Sequence, residues 1–288
     1  MYKILEKRIL TPVTRLFRVD APLVARSARP GQFVIVRVHE AGERIPLTIA
    51  DYDPDDGSIT IVVQEVGATT RRLGALQAGE GILDLLGPLG NPIDVPAGGH
   101  VVGVGGGFGA AALLCFMREA SAVGIRTTTI VGARNADLLV LTEELRAASH
   151  NLEICTDDGS AGFKGFVTER LKQLMAGDGP GRPDHVVAIG PMPMMRAVAE
   201  ATRESAIPTL VSMDPLMVDG TGMCGGCRIT VGGDMKFACV DGPCFDGHQV
   251  DFDEAVRRSR TYTREQEIAC QRFDQEGRIE QEGGVHAA

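Results

Sequence analysis

Between residues 101 and 213 the apolar pattern switches period repeatedly, and few folds accommodate that. VVGVG (101–105), TTTIVGAR (127–134), NLEICTDD (151–158), HVVAIG (185–190) and PTLVSM (208–213) read as short buried strands. AALLCFMREASAVG (111–124), LLVLTEELRAAS (138–149), FVTERLKQLMA (166–176) and MMRAVAEATRES (194–205) read as the helices between them. Strict strand–helix alternation requires right-handed crossovers and a parallel sheet covered on both faces. The sequence therefore predicts an α/β domain over 99–213, with VPAGGH (95–100) as the linker into it.

The flanking regions follow other rules. In residues 1–98, FVIVRV (33–38), PLTIADY (46–52) and SITIVVQEV (58–66) are β-branched runs bounded by turn pairs such as Pro30-Gly31 and Asp56-Gly57. One helix is expected at Thr70–Leu76. Many short strands with a single helix predict a small antiparallel barrel. Beyond the α/β domain come a cysteine-rich segment, 214–250, and a charged tail, 251–288, with a helix near Tyr262–Gln275.

Four of the seven cysteines lie between Val218 and Cys244, among seven glycines. Plant-type [2Fe–2S] sites use C-x4-C-x2-C and a distant fourth thiolate. Cys224 and Cys227 supply the C-x2-C, Asp219 stands where the first thiolate would, and Cys239 can be the distant ligand. An anionic carboxylate is chemically acceptable to iron in that place. A rival set, Cys224, Cys227, Cys239 and Cys244, would make a four-thiolate site for a cluster or for structural zinc. Spacing alone leaves the two level. Cys115, Cys155 and Cys270 lie singly in apolar strands or helices and read as packing.

The strand–loop–helix VVGVGGGFGAA contains Gly105-x-Gly107-x-x-Ala110, a variant of the dinucleotide fingerprint. Absent Cβ atoms let a pyrophosphate approach the backbone at a helix start. The acidic residue expected at the end of the next strand is missing, and Arg134 ends it instead. CTDDGS (with Asp157) and GPMPMM (with Gly190 and Pro191) sit at further strand ends, on the edge where open α/β sheets bind ligands. In the barrel, RIPLTIAD places Arg44, Pro46, Leu47 and Thr48 on one strand. VGATTRRL opens a helix with Gly67, Thr69 and Thr70, a phosphate-type arrangement.

Composition excludes several functions. A net charge of −9 and the lack of a basic tract argue against nucleic acid and membrane surfaces. The longest largely apolar run, Val101–Met117, is short and glycine-rich for a bilayer span. The charged N-terminus does not read as a signal peptide. Clustered cysteines, odd in number, fit a reducing cytoplasm and a metal site better than disulfides.

Together these motifs resemble the ferredoxin-NADP reductase superfamily: a flavin barrel with an R-x-[YP]-[ST]-type strand, a G-x-x-[ST] phosphate helix, and a nucleotide domain with G-G-G-x-G and G-P-x-x-M. The phrases ERIPLTIAD, GPLGNP, MVDGTGMCGGCR and KFACVDGP narrow the resemblance. The chain is similar to the iron–sulfur flavin subunits of dihydroorotate dehydrogenase B. It is more similar still to the small (alpha) subunits of NADH-dependent reduced ferredoxin:NADP oxidoreductases, also called sulfide dehydrogenases.

That resemblance implies FAD held by Arg44, Pro46, Leu47, Thr48, Val63, Gly67, Thr69 and Thr70. It implies NAD(H) across Gly105, Gly106, Gly107, Gly109, Arg134, Asp157, Gly190, Pro191 and Met192, with Arg134 keeping NADP open. It turns the ligand question toward Asp219, Cys224, Cys227 and Cys239 around a [2Fe–2S] cluster. It implies a larger flavin/[4Fe–4S] partner subunit in a heterodimer, ferredoxin as the complex's redox partner, and electron bifurcation centred in the larger subunit. Hydride passes between nicotinamide and flavin, and single electrons then pass to the cluster; hydride transfer itself requires no general acid or base. Two other readings are an electron-transfer subunit of dihydroorotate dehydrogenase B and a zinc-stabilised nucleotide-binding regulator.

Overall fold

The structure is a computed structural model that describes the backbone of residues 1–284 and the side chains of residues 1–275. The expected tail, to residue 288, therefore extends outside the described residues. Seven strands form the N-terminal body: β1 (Tyr2–Thr11), β2 (Thr14–Asp20), β3 (Phe33–Arg37), β4 (Arg44–Asp53), β5 (Ser58–Gln64), β6 (Gly81–Ile82) and β7 (Asp84–Leu89). They pair antiparallel in the order β6-β1-β2-β5-β4-β3-β7, a nearly closed barrel. Alternation drives it: along β2, Phe17 and Val19 are buried while Arg18 points out to Asp56. Phe17, Ile4, Ile49, Ile59, Ile61 and Leu73 fill the interior. Two helices belong to this body, α1 (Pro22–Ala25), which the sequence reading lacked, and α2 (Ala68–Ala75).

The second body is a sheet with helices on both faces. Its strands are β8 (His100–Gly106), β9 (Arg126–Ala133), β10 (Asn151–Thr156), β11 (Phe163–Lys164), β12 (His185–Ile189) and β13 (Thr209–Ser212). Its helices are α3 (Leu114–Ala122), α4 (Thr142–Ala148), α5 (Val167–Met175) and α6 (Met192–Arg203). Every residue of β8 is buried, as a strand covered on both faces must be. The cysteine-rich segment adds a hairpin of β14 (Arg228–Val231) and β15 (Asp234–Phe237), then β16 (Cys244–Asp246). β16 joins the large sheet, whose order is β11-β10-β9-β8-β12-β13-β16.

Within 99–213 every strand pair is parallel, as expected, and β16 of the cysteine-rich segment adds an antiparallel strand beside β13 at that edge. Two expectations need correction. Residues 107–113 wind as a 3-10 helix before α3, with Gly107 at φ +55. The helix expected over 138–149 begins only at Thr142, since Leu141 has φ +52 and Leu138 ends a short 3-10 turn, Ala136–Leu138. The tail contains α7 (Phe252–Ser259) as well as α8 (Thr263–Gly284). α8 returns to the barrel: Arg71 pairs with Asp274 at 3.0 Å, and the Arg72 guanidinium lies 5.2 Å from the Phe273 ring centre.

The two bodies are fastened side by side. Arg118 of α3 pairs with Asp51 of β4 at 2.6 Å, and the adjacent Tyr52 hydroxyl donates to Glu119. Burial and the Glu119 carboxylate both raise the Tyr52 pKa, so the phenol stays a donor. Phe17 is completely buried at the barrel centre. Phe17→Ala should cost about 3–5 kcal/mol, read as a fall in the urea midpoint.

Candidate cofactor sites

The order of the large sheet reverses between β8 and β12: the chain runs outward through β9 and β10, then crosses back to β12. Such a reversal opens a crevice at the carboxyl ends of the two central strands. Here it lies between Gly106–Phe108 and Ile189–Pro191, and the loops approach closely. A Cβ on Gly109 would stand 2.8 Å from the Ile189 oxygen and from the Gly190 Cα; one on Gly190 would stand 3.0 Å from the Gly106 Cα.

Two cavities meet at this crevice. The first, about 420 Å³, lies between the barrel and the sheet. Pro46, Leu47, Thr48 and Ala50 of β4 form one wall, and Phe108, Gly109 and Ala111 form another. Ser212, Met213, Asp214 and Met217 close the floor. Its size falls in the range of about 300–1,000 Å³ common to small-molecule and cofactor sites, and its walls are mainly apolar. The second, about 360 Å³, runs over the strand ends, past Gly106, Gly107, Arg134, Asp157, Phe166, Pro191 and Met194. Phe108 and Pro191 line both cavities.

Most of the expected residues reach these places, and several do not. Gly105 lines neither cavity; a Cβ there would meet Ala110 at 3.0 Å or less, so it serves strand–helix contact. Val63 is buried in the barrel core, and its neighbour Val62 lines the first cavity instead. Met192 lies beside the core while Met194 reaches the second cavity. Arg44 is exposed at the start of β4 and has no ion pair among the described residues. Gly67 caps α2, with the Thr70 hydroxyl accepting from its N–H at 2.9 Å. Thr69 donates to Glu43 at 2.7 Å, which brings the start of α2 beside the start of β4.

The cysteine loop gathers part of its set. The Cys227 and Cys239 sulfurs lie 3.2 Å apart and are buried. Burial, then Cys227, push the Cys239 thiol up to about 12, so this pair needs a cation before both can ionise. Cys224 is exposed, and its sulfur accepts from Gly226 N–H at 3.4 Å. The Asp219 carboxylate accepts from Thr221 N–H at 3.0 Å and Cys224 N–H at 2.8 Å. Those donors hold its pKa below the usual carboxylate range. Gly220, Gly222 and Gly225 all have positive φ, which lets the loop turn its amides toward these groups. Cys244 lies elsewhere, in β16 opposite Ser212, against the other face of the sheet. Among the described residues no three potential ligands converge as a preformed metal site. The donor types and amide orientation nevertheless suit an anionic sulfur-rich group.

Phe108, Ala111, Met217 and Pro243 lie inside the motifs but were given no role there, and Ser212, Met213 and Asp214 lie outside them, with no signal beyond a strand end and the loop after it.

An antiparallel barrel joined to a doubly covered sheet, with adjoining cavities at the switch point, defines a flavin-type oxidoreductase fold with a cysteine-rich extension. Residues 214–251 match the model of the iron–sulfur cluster binding domain of dihydroorotate dehydrogenase B. A dihydroorotate dehydrogenase B (NAD(+)) electron transfer subunit homolog from Thermotoga maritima is 46% identical over 257 residues, 89% of this chain and 90% of that protein. An uncharacterized protein from Clostridium beijerinckii is 47% identical over 99% of this chain and 98% of its own length. The solved structure of an NADH-dependent reduced ferredoxin-NADP oxidoreductase, studied for flavin-based electron bifurcation, superimposes with a TM-score of 0.89. That chain is 43% identical, with 95% of this chain and 98% of that one covered. The chain belongs to the family of dihydroorotate dehydrogenase B electron-transfer subunits and their homologues.

Gly109 is the contact on which the crevice closes. Gly109→Ala should cost about 1–3 kcal/mol as an overpacking change, visible as a lower melting temperature.

Proposed function

We propose that this chain is the FAD- and iron–sulfur-containing electron-transfer subunit of a larger oxidoreductase, taking hydride from NADH and passing electrons singly to a partner subunit. The observation that carries this reading is the pair of cavities sharing Phe108 and Pro191, which would let a nicotinamide held at the strand ends reach a flavin ring in the first cavity. Bound there, the flavin supplies the exchange between two-electron and one-electron chemistry.

The chain's own residues bind, orient and exclude water. Pro46, Leu47 and Thr48 wall the ring site, where apolar neighbours keep water out. Arg44, Gly67, Thr69 and Thr70 lie where a flavin pyrophosphate would meet a guanidinium and a helix start. Gly106, Gly107, Arg134, Asp157, Gly190 and Pro191 border the nucleotide site. Arg134 has no ion pair among the described residues, so it is available to a ribose or a 2′-phosphate. We assign Asp219, Cys224, Cys227 and Cys239 as cluster ligands, and leave Cys244 to the strand it occupies.

Residues 1–98 then form the flavin domain, 99–213 the nucleotide domain, 214–250 the cluster segment and 251–288 the tail. Around the exposed Cys224 lie exposed Leu216, Val218, Met223 and Val240. Grouped exposed apolar residues mark protein contact. They suit contact with a partner subunit, which in this reading is a larger one carrying flavin and [4Fe–4S] centres, with ferredoxin as its further redox partner. No helix among the described residues is long and apolar enough to cross a membrane, which is compatible with a cytoplasmic complex.

Anaerobically prepared protein should be yellow-brown, its flavin band should bleach on addition of NADH, and its iron should then be reduced. A colourless protein containing zinc would overturn the reading. Isolation of the native complex separates a flavin/[4Fe–4S] partner from a dihydroorotate-oxidising one. Cys227→Ser and Cys239→Ser should each abolish the cluster by iron analysis and EPR, Asp219→Ala should lower its occupancy, and Cys244→Ser should leave iron content unchanged.

A further inference from the structure

A hydride carries two electrons and one proton, whereas an iron–sulfur cluster takes electrons one at a time and no proton. If the chain works as proposed above, a proton is stranded in the flavin cavity with each turnover. The balance is NADH plus two oxidised one-electron acceptors giving NAD+, two reduced acceptors and one proton. That proton has to leave through a cavity whose walls are mainly apolar.

Asp214 is the one ionisable side chain on those walls. The only other side chains there with polar groups are Thr48 and Ser212, whose hydroxyls can pass a proton but not keep one. No titratable side chain faces it from β3, β4, β5, the 107–113 turn, the β12–α6 loop or Pro243, the elements that enclose the cavity with it. Asp214 directly follows β13, where Met213 N–H donates to the Pro243 oxygen at 2.9 Å and tethers the backbone. Five residues further on stands Asp219, so one short segment joins the cavity floor to the cysteine loop.

We propose that Asp214 is the proton acceptor of the flavin cavity. Its carboxylate takes the stranded proton, becoming a carboxylic acid, and releases it to water at the cavity mouth, which restores the carboxylate. The residue is exposed, and its side chain opens onto the cavity. Desolvation by the protein around the cavity floor pushes its pKa up to about 6, and no neighbouring charge contributes to the shift. A group poised there is ionised at neutral pH yet exchanges protons readily. A ring filling the cavity would remove more water from it and raise the value further.

The test uses the full chain with its flavin and cluster under anaerobic conditions. In the wild type, the flavin midpoint potential plotted against pH should change slope between about pH 6 and 8, as Asp214 begins to take up a proton together with the electrons. In Asp214→Asn that change should vanish. The rate of flavin reoxidation, relative to its reduction by NADH, should fall on the order of 10²-fold, and Asp214→Glu should recover most of it. A wild-type plot of constant slope would overturn the proposal even if no variant retained flavin. So would an Asp214→Asn protein that reoxidised at the wild-type ratio. A wild type that NADH fails to bleach would instead overturn the electron-transfer reading on which the proposal rests.

Discussion

The close backbone approach between the β8 turn and the β12–α6 loop is the constraint on which the rest of the molecule depends. Gly106, Gly109 and Gly190 meet where side chains would collide: a Cβ on Gly109 or Gly190 would stand within about 3 Å of opposing backbone atoms, and one on Gly106 would run into the Met194 and Pro191 side chains. Two consequences follow from that contact. The central strands stay in register up to their carboxyl ends, and the crevice beyond them keeps a fixed width. Both cavities are built on that edge, and Phe108 and Pro191 turn into both because the loops cannot separate.

A second set of contacts fixes the barrel against this crevice. Asp51 and Tyr52 lie at the end of β4 remote from Arg44, and they hold Arg118 and Glu119 of α3. Pro46, Leu47 and Thr48 are carried on the same strand, so the anchoring also sets how far the cavity wall stands from Gly109. The floor comes from Ser212 to Met217, between the last parallel strand and the cysteine loop. Pairing of β16 with β13 pins both ends of that loop to one sheet edge. One structurally held segment thus joins the cavity floor to the cysteine loop.

Much of this was legible along the chain, for reasons that are local. Repeated apolar runs of strand length, separated by helical ones, require a covered parallel sheet wherever they occur. Gly106 and Gly107 stand out because a loop between strand and helix rarely needs so many glycines. Cys224, Cys227 and Cys239 stand out because four thiols in so short a stretch have few other uses. What escaped was whatever depends on long-range pairing. β16 is three residues long and exists only because β13 offers an open edge. The helix expected from Leu138 starts late because Leu141 adopts a left-handed conformation that apolar periodicity does not encode. Val62 and Val63 are equivalent in sequence, and the pleat alone decides that Val62 meets the cavity while Val63 meets the core.

The sequence by itself determined the fold class, the family and the chemistry of the donor atoms, because these reside in residue type and spacing. Only the tertiary structure decided which residues share a cavity. It brought Asp214 to the floor of the first cavity, set Cys244 on a strand away from Cys227 and Cys239, and returned α8 to α2. Each of those outcomes depends on which distant segments close over the same apolar surface, and hydrophobic burial, being non-directional, leaves that choice to the packing of the whole molecule.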